Sequence, residues 1–289
     1  MLVRPVFVLT CAIIAAACGS AAEPVASPEP PRPAARKQPR GDELVRLTLL
    51  ADVTRVAPGQ EVTLGARFDV EPGWHIYWVN PGESGLATEA AFTAPAGFRV
   101  GAARFPGPAR FESPGDITSY GYEELAMLSA VVAAPDSLAG PTVQFSVQAS
   151  WLACRDICVP GRAVAQIDLD AARPGEPSQP AHAELFSRHE EALPRPLAEL
   201  GAAAPTWRRD PQHVSIAIDV RGAERLEYFP ASGEDLGLTG QASVPAAGGW
   251  RVELSYKPTV RPVRLEGVLA VTRDGGVRYY AMDLEEPSR

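Results

Sequence analysis

From residue 44 onward, apolar and polar residues alternate in short stretches, and each stretch is cut off by a cluster of proline, glycine or asparagine. A period of two sends successive side chains to opposite faces of a strand, so this patterning admits many short strands and leaves little room for long helices. Residues 44–56 and 61–70 are such stretches, separated by the turn Ala57-Pro58-Gly59-Gln60. Residues 74–79 read as a short aromatic strand, followed by the loop Asn80-Pro81-Gly82-Glu83-Ser84-Gly85. Residues 125–133, 143–152 and 163–169 complete a set of about seven strands with no βαβ alternation, which predicts a β-sandwich. Residues 105–122, dense in proline and glycine, read as mostly irregular surface loop.

A Pro/Gly/Ser-rich linker at 171–180 ends this region, and 181–193 carries helix-compatible spacing that Pro194 and Pro196 stop. A second β-rich region follows, with strands at 214–220, 226–229 and 250–256 and a hairpin signal at Asp274-Gly275-Gly276. The chain therefore reads as all-β, with two sandwiches in tandem at 43–172 and 197–289, joined by a linker with a short helix at 173–196.

The N-terminus reads as an export signal over 1–17, with Arg4 before the short apolar run 6–17. That run is shorter than the ~20 apolar residues a spanning helix needs. Ala15-Ala16-Ala17-Cys18 resembles a bacterial lipobox, with Cys18 as the lipid attachment point; ordinary cleavage before Cys18 or after Ala22 is the alternative. Residues 18–42, rich in Pro and Ala, read as an extended tether. The formal net charge of −8 supplies no basic face, so nucleic acid is not an expected partner.

Of the four cysteines, Cys11 lies in the signal and Cys18 at its end, so Cys154 and Cys158 are the only thiols left for the folded body. Export places them where disulfides form and persist. Three readings stay open. As a permanent staple the pair closes a loop worth only about 2 kcal/mol, against ~3 for a fifteen-residue loop. As a reversible dithiol it is well placed, because a nearby second thiol resolves a mixed disulfide quickly. As a Cu(I) site it would draw on Met127 or Met282, although such methionines are commonly core filler. No second Cys/His pair stands at zinc spacing, and His75 reads as a packed histidine. No cofactor-binding pattern is present, and Arg155 and Asp156 oppose each other in their effect on a thiolate.

Three blocks resemble the N-terminal periplasmic domain of DsbD-type thiol:disulfide interchange proteins, especially the two-subdomain suppressor-of-copper-sensitivity B version. They are residues 73–86 (GWHIYWVNPGESGL), 120–123 (YGYE) and 150–160 (SWLACRDICVP). The resemblance implies an immunoglobulin-like fold and a catalytic pair, Cys154 and Cys158, that exchanges electrons with periplasmic thioredoxin-fold proteins. It implies a cap loop over the pair, matched here by Asp116, Ser119, Tyr120 and Tyr122, with Tyr120 as lid and Ser119 where other members carry phenylalanine. It also implies Cys158 as the attacking thiol. The sequence carries neither the membrane domain nor the thioredoxin-like domain of the full-length proteins, so a separate DsbD-like membrane carrier is expected to supply electrons. The competing expectation is a non-catalytic envelope adaptor or copper-tolerance protein with a structural disulfide.

Overall fold

The alternation along the chain resolves into two layers of sheet, and then into two more. A computed structural model describes residues 39–115, 117–173, 176–202, 204–212, 214–231, 238–259 and 263–287. The segments read as export signal and tether, up to residue 38 and with Cys11 and Cys18, lie outside the described residues, as do Asp116 and His213.

The first sandwich opposes a four-stranded sheet to a seven-stranded one. The smaller runs in the order Val45–Ala51, Glu61–Val70, Leu125–Ala133, Arg99–Val100. The larger runs Arg55–Val56, Cys158–Ala171, Thr142–Cys154, His75–Gly82, Ile117–Glu123, Ala109–Ser113, with Glu89–Thr93 also paired to Thr142–Cys154. Strand Thr142–Cys154 shows why it sits centrally: Val143, Phe145, Val147, Ala149, Trp151 and Ala153 are buried while Gln144 and Gln148 are exposed. Each large apolar side chain so buried contributes roughly 1.5–3 kcal/mol. Phe68 meets Trp151 edge to face at 5.7 Å in the centre of this core. The packed body includes Gly41, whose carbonyl accepts the Trp151 indole N–H at 3.3 Å.

The helix Ala183–Ala192 buries Phe186 and His189, one turn apart on the same side. It ends where Leu193 turns extended ahead of Pro194. The second sandwich opposes the sheet Arg195–Pro196, Gly276–Glu285, Arg264–Arg273, Arg225–Pro230 to the sheet Thr206–Arg209, Val214–Arg221, Gly249–Tyr256, Leu238–Ala246. Arg273 pairs with Gly276 across the two-residue turn Asp274-Gly275.

One expectation is corrected. Residues 105–122 are not mostly loop: Ala109–Ser113 and Ile117–Glu123 form an antiparallel hairpin on the open edge of the larger sheet. Proline and glycine at 114 and 115 are its turn, and the short flanking strands gain their order from pairing with His75–Gly82. Strand Leu238–Ala246 also escaped the apolar pattern, because it is an edge strand of small and polar residues held by its ladder to Gly249–Tyr256.

The two sandwiches share apolar contacts. Phe229, Val268 and Ala270 of the second are buried in the hydrophobic core of the first. Gly107 approaches the Tyr279 ring so closely that a Cβ there would lie 2.0 Å from it, so only glycine fits.

Candidate functional site

Cys154 is the last residue of strand Thr142–Cys154 and Cys158 the first of Cys158–Ala171, so the two face each other across a hairpin with Arg155, Asp156 and Ile157 at its tip. Their Cα atoms are 4.1 Å apart and the sulfurs are joined as a disulfide. Pro160 is tolerated two residues on because, among the described residues, no strand pairs with this stretch on its outer side; the other partner strand, Arg55–Val56, pairs at 170–171. The two cysteines differ in access. Cys154 is 2% exposed, whereas Cys158 is exposed to solvent.

Strand His75–Gly82 meets the hairpin at one point, where His75 pairs with Cys154. Residues directly opposite in an antiparallel pair share a face, and alternation then puts Tyr77 on that face too. The Tyr77 hydroxyl lies 4.0 Å from Cys158 Sγ. Burial raises the Tyr77 hydroxyl above its ordinary pKa, with a hydrogen bond to Ser84 opposing. Gly85, at φ +99°, lays its backbone on the Tyr77 ring, where a Cβ would come within 2.3 Å. That contact explains the glycine in the Asn80–Gly85 turn and fixes the ring beside the disulfide.

His75 stands edge-on to Tyr77 at 5.1 Å and stacks on Phe111 at 4.7 Å. Burial lowers its pKa, and its Nε2 is buried without a hydrogen-bond partner among the described residues. Phe111 comes from the edge hairpin, directly opposite Ser119. Cys158, Cys154, His75, Tyr77 and Phe111 thus line one face of the larger sheet. Arg155 leaves this row and lies over the Trp74 ring at 4.9 Å, with its Nε 3.2 Å from Asp156.

The cap-loop residues divide between the two faces. Ser119 is buried on the cysteine face, across from Phe111. Tyr120 and Tyr122 alternate to the far side: Tyr120 meets Phe229 edge to face at 5.2 Å, and the Tyr122 hydroxyl donates to the Pro106 carbonyl at 2.8 Å. Asp116 lies outside the described residues. The aromatic rings nearest the disulfide are therefore Tyr77 and His75, backed by Phe111. Sequence reasoning named His75 only as a packed residue and passed over the other two. The usable signal was the alternation from His75 to Tyr77, together with a Pro-Gly turn that sets Phe111 opposite Ser119.

Among the described residues no three or more His, Cys, Asp or Glu side chains converge as a metal-binding group. Met127 lies over Gly65 beside Phe186, and Met282 is in the second core. Both pack as apolar side chains.

An immunoglobulin-like sandwich with a disulfide at the tip of a central hairpin defines a class of domain. Residues 47–168, which hold the whole site, match the family described as thiol:disulfide interchange protein DsbD, N-terminal. The N-terminal periplasmic domain of ScsB from Proteus mirabilis aligns at 15% identity with a TM-score of 0.58, over 83% of this chain and 92% of that one. The reduced N-terminal domain of Neisseria meningitidis DsbD aligns at 14% identity with a TM-score of 0.29, over 49% of this chain and 93% of that one. No curated protein sequence gives a significant match. The match supports thiol–disulfide interchange, in general terms, for the first sandwich.

Proposed function

We propose that this protein is a periplasmic thiol–disulfide exchange protein in which Cys158 is the entry sulfur and Cys154 the resolving one. The observation that carries this reading is the unequal access of the pair, with Cys154 2% exposed and Cys158 open to solvent. In the reduced protein the Cys158 thiolate attacks one sulfur of a partner disulfide. A bond forms between Cys158 and that sulfur, and the other partner sulfur departs as a thiolate. The Cys154 thiolate then attacks Cys158 Sγ, the mixed disulfide breaks, and Cys154–Cys158 closes as the partner leaves carrying two electrons. The Tyr77 hydroxyl, 4.0 Å from Cys158 Sγ, is placed to donate to the thiolate that each cycle creates.

The partners are periplasmic thioredoxin-fold proteins, and a separate DsbD-like membrane carrier reloads the pair; lipidation at Cys18 would hold the domain at the membrane. Ser119 lines the covered face, and Tyr120 and Tyr122 brace its strand from behind. Ile157 at the hairpin tip and Leu86, which shares a groove with Trp151 and Pro160, are 45% and 65% exposed, which offers apolar surface to a docking partner.

The test is trapping. Cys154→Ser should accumulate a mixed disulfide between Cys158 and a periplasmic thioredoxin-fold protein, and Cys158→Ser should not. The reduction potential should lie above about −300 mV, the region below which structural disulfides resist reduction. No trapped species together with a potential below that level would leave a structural staple.

A further inference from the structure

The edge hairpin that carries Phe111 is held in two different ways on its two faces. Within its own sheet it is the last element, held on one side by the pairing of Ile117–Glu123 with His75–Gly82, whose register shifts between Tyr77 and Gly82, and by two hydrogen bonds between Glu83 and Thr118. An edge element of this kind, with one neighbouring strand and a break in its ladder, opens more readily than a central strand. Its front face presents Phe111 to His75 and, through His75, to Cys154. Its back face rests on the second sandwich.

That backing is extensive. Phe229 is 2% exposed and is met edge-on by Tyr120 at 5.2 Å and by Trp78 at 6.5 Å. Phe229 is itself fixed by pairing with Val268, which is buried in the same shared core. Arg110, opposite Tyr120 in the hairpin, has Nη1 3.9 Å from a Glu227 carboxylate oxygen. The Tyr279 hydroxyl donates to the Pro108 carbonyl at 3.4 Å, just before the hairpin begins. Asn80, at the far end of the neighbouring strand, donates to the Pro230 carbonyl at 2.7 Å. Strand residues alternate between faces, so a ring gripped behind at position 120 holds the backbone that carries Ser119 and its partner Phe111 in front.

We propose that the second sandwich is a backing plate for the redox site: it pins the edge hairpin so that Phe111 stays stacked on His75 and Cys154 stays shielded, with Phe229 as the positioning residue. This extends the exchange reading by giving the cysteine-free sandwich a task, and it rests on that reading only for what the shielding serves.

The test uses the full chain, reduced and treated anaerobically with iodoacetamide, with alkylation at Cys154 and Cys158 followed separately by mass spectrometry. In the unaltered protein Cys158 should react first and Cys154 slowly. Phe229→Ala should accelerate Cys154 by about tenfold and Cys158 by less than about threefold, the signature of one local opening. Phe111→Ala should do the same, and the double variant should not exceed the larger single effect, because both act on one cover. Phe229→Leu should restore part of the protection. The upfield ring-current shift of the His75 ring protons should be lost in Phe229→Ala. An unchanged Cys154 rate in a folded Phe229→Ala protein, multiplying effects in the double variant, or a retained His75 shift would each overturn the proposal. Should Phe229→Ala fail to fold by circular dichroism, Phe229→Leu and Arg110→Ala carry the test, in the same direction with smaller change. Normal partner exchange with unmoved Cys154 rates removes the backing plate alone. Absent exchange with the expected rate changes removes the exchange reading alone.

Discussion

His189 shows how a single buried side chain can be read as chemistry. Its ring nitrogen lies 2.7 Å from Ser129 Oγ, inside the contact between the helix and the first sandwich. Burial is the main cause that pushes its pKa down to about 4, with Glu190 opposing and Arg104 assisting. Burial lowers His75 as well. A folded pKa below the unfolded value of about 6.5 means that the unfolded chain binds the proton more tightly. The stability tied to neutral His189 is therefore complete above pH 6.5 and is lost as pH falls toward 4. Urea unfolding at pH 7.5 and pH 4.5 should differ by roughly 1–3 kcal/mol more in the unaltered protein than in His189→Gln. Equal pH dependence in the two proteins would contradict a buried neutral histidine. Helix spacing sets His189 on the same side as Phe186, but no local pattern points to its hydroxyl partner sixty residues away.

At the scale of elements, the segment 80–86 separates what turn chemistry reveals from what it hides. Its Asn-Pro-Gly and Ser-Gly steps mark a change of direction, and the strand indeed ends at Gly82. The asparagine does more than turn the chain. Asn80 is 2% exposed, its side-chain oxygen accepts the Gly82 N–H at 2.9 Å, and its side-chain nitrogen reaches the Pro230 carbonyl. Glu83 secures the same segment to the edge hairpin, its backbone N–H donating to the Thr118 carbonyl at 2.8 Å and its carboxylate accepting the Thr118 N–H at 2.7 Å. Asn80→Ala should cost about 1–3 kcal/mol in chemical denaturation, the penalty of buried partners left unpaired. A cost within experimental error would mean that water replaces both bonds. The edge hairpin itself escaped the sequence because proline and glycine mark loops and hairpin turns alike. Only the strand that pairs with it distinguishes the two.

For the molecule as a whole, the decisive feature is that the two sandwiches, each with its own core, share an apolar seam. Phe229, Val268 and Ala270 complete the first core, so loss of either sandwich uncovers apolar surface on the other. Calorimetry of the full chain should show one cooperative unfolding transition, and Phe229→Ala should lower its midpoint without splitting it. Two resolved transitions would mean that the interface contributes little.

The sequence alone determined the parts that depend on neighbours along the chain. Period-two alternation set most of the strands, helix spacing set Ala183–Ala192, and a separation of four residues brought Cys154 and Cys158 onto one hairpin. The motifs around them pointed to the thiol–disulfide interchange family. Tertiary structure alone decided what surrounds the pair. Tyr77 meets Cys158 across 81 residues and Asn80 meets Pro230 across 150. Alternation tells which side chains share a face, but not which strand lies beside which or in what register. A shift of one residue would have turned Tyr120 toward the disulfide and Phe111 away from it. That choice is made by packing between distant segments, and here the second sandwich takes part in it.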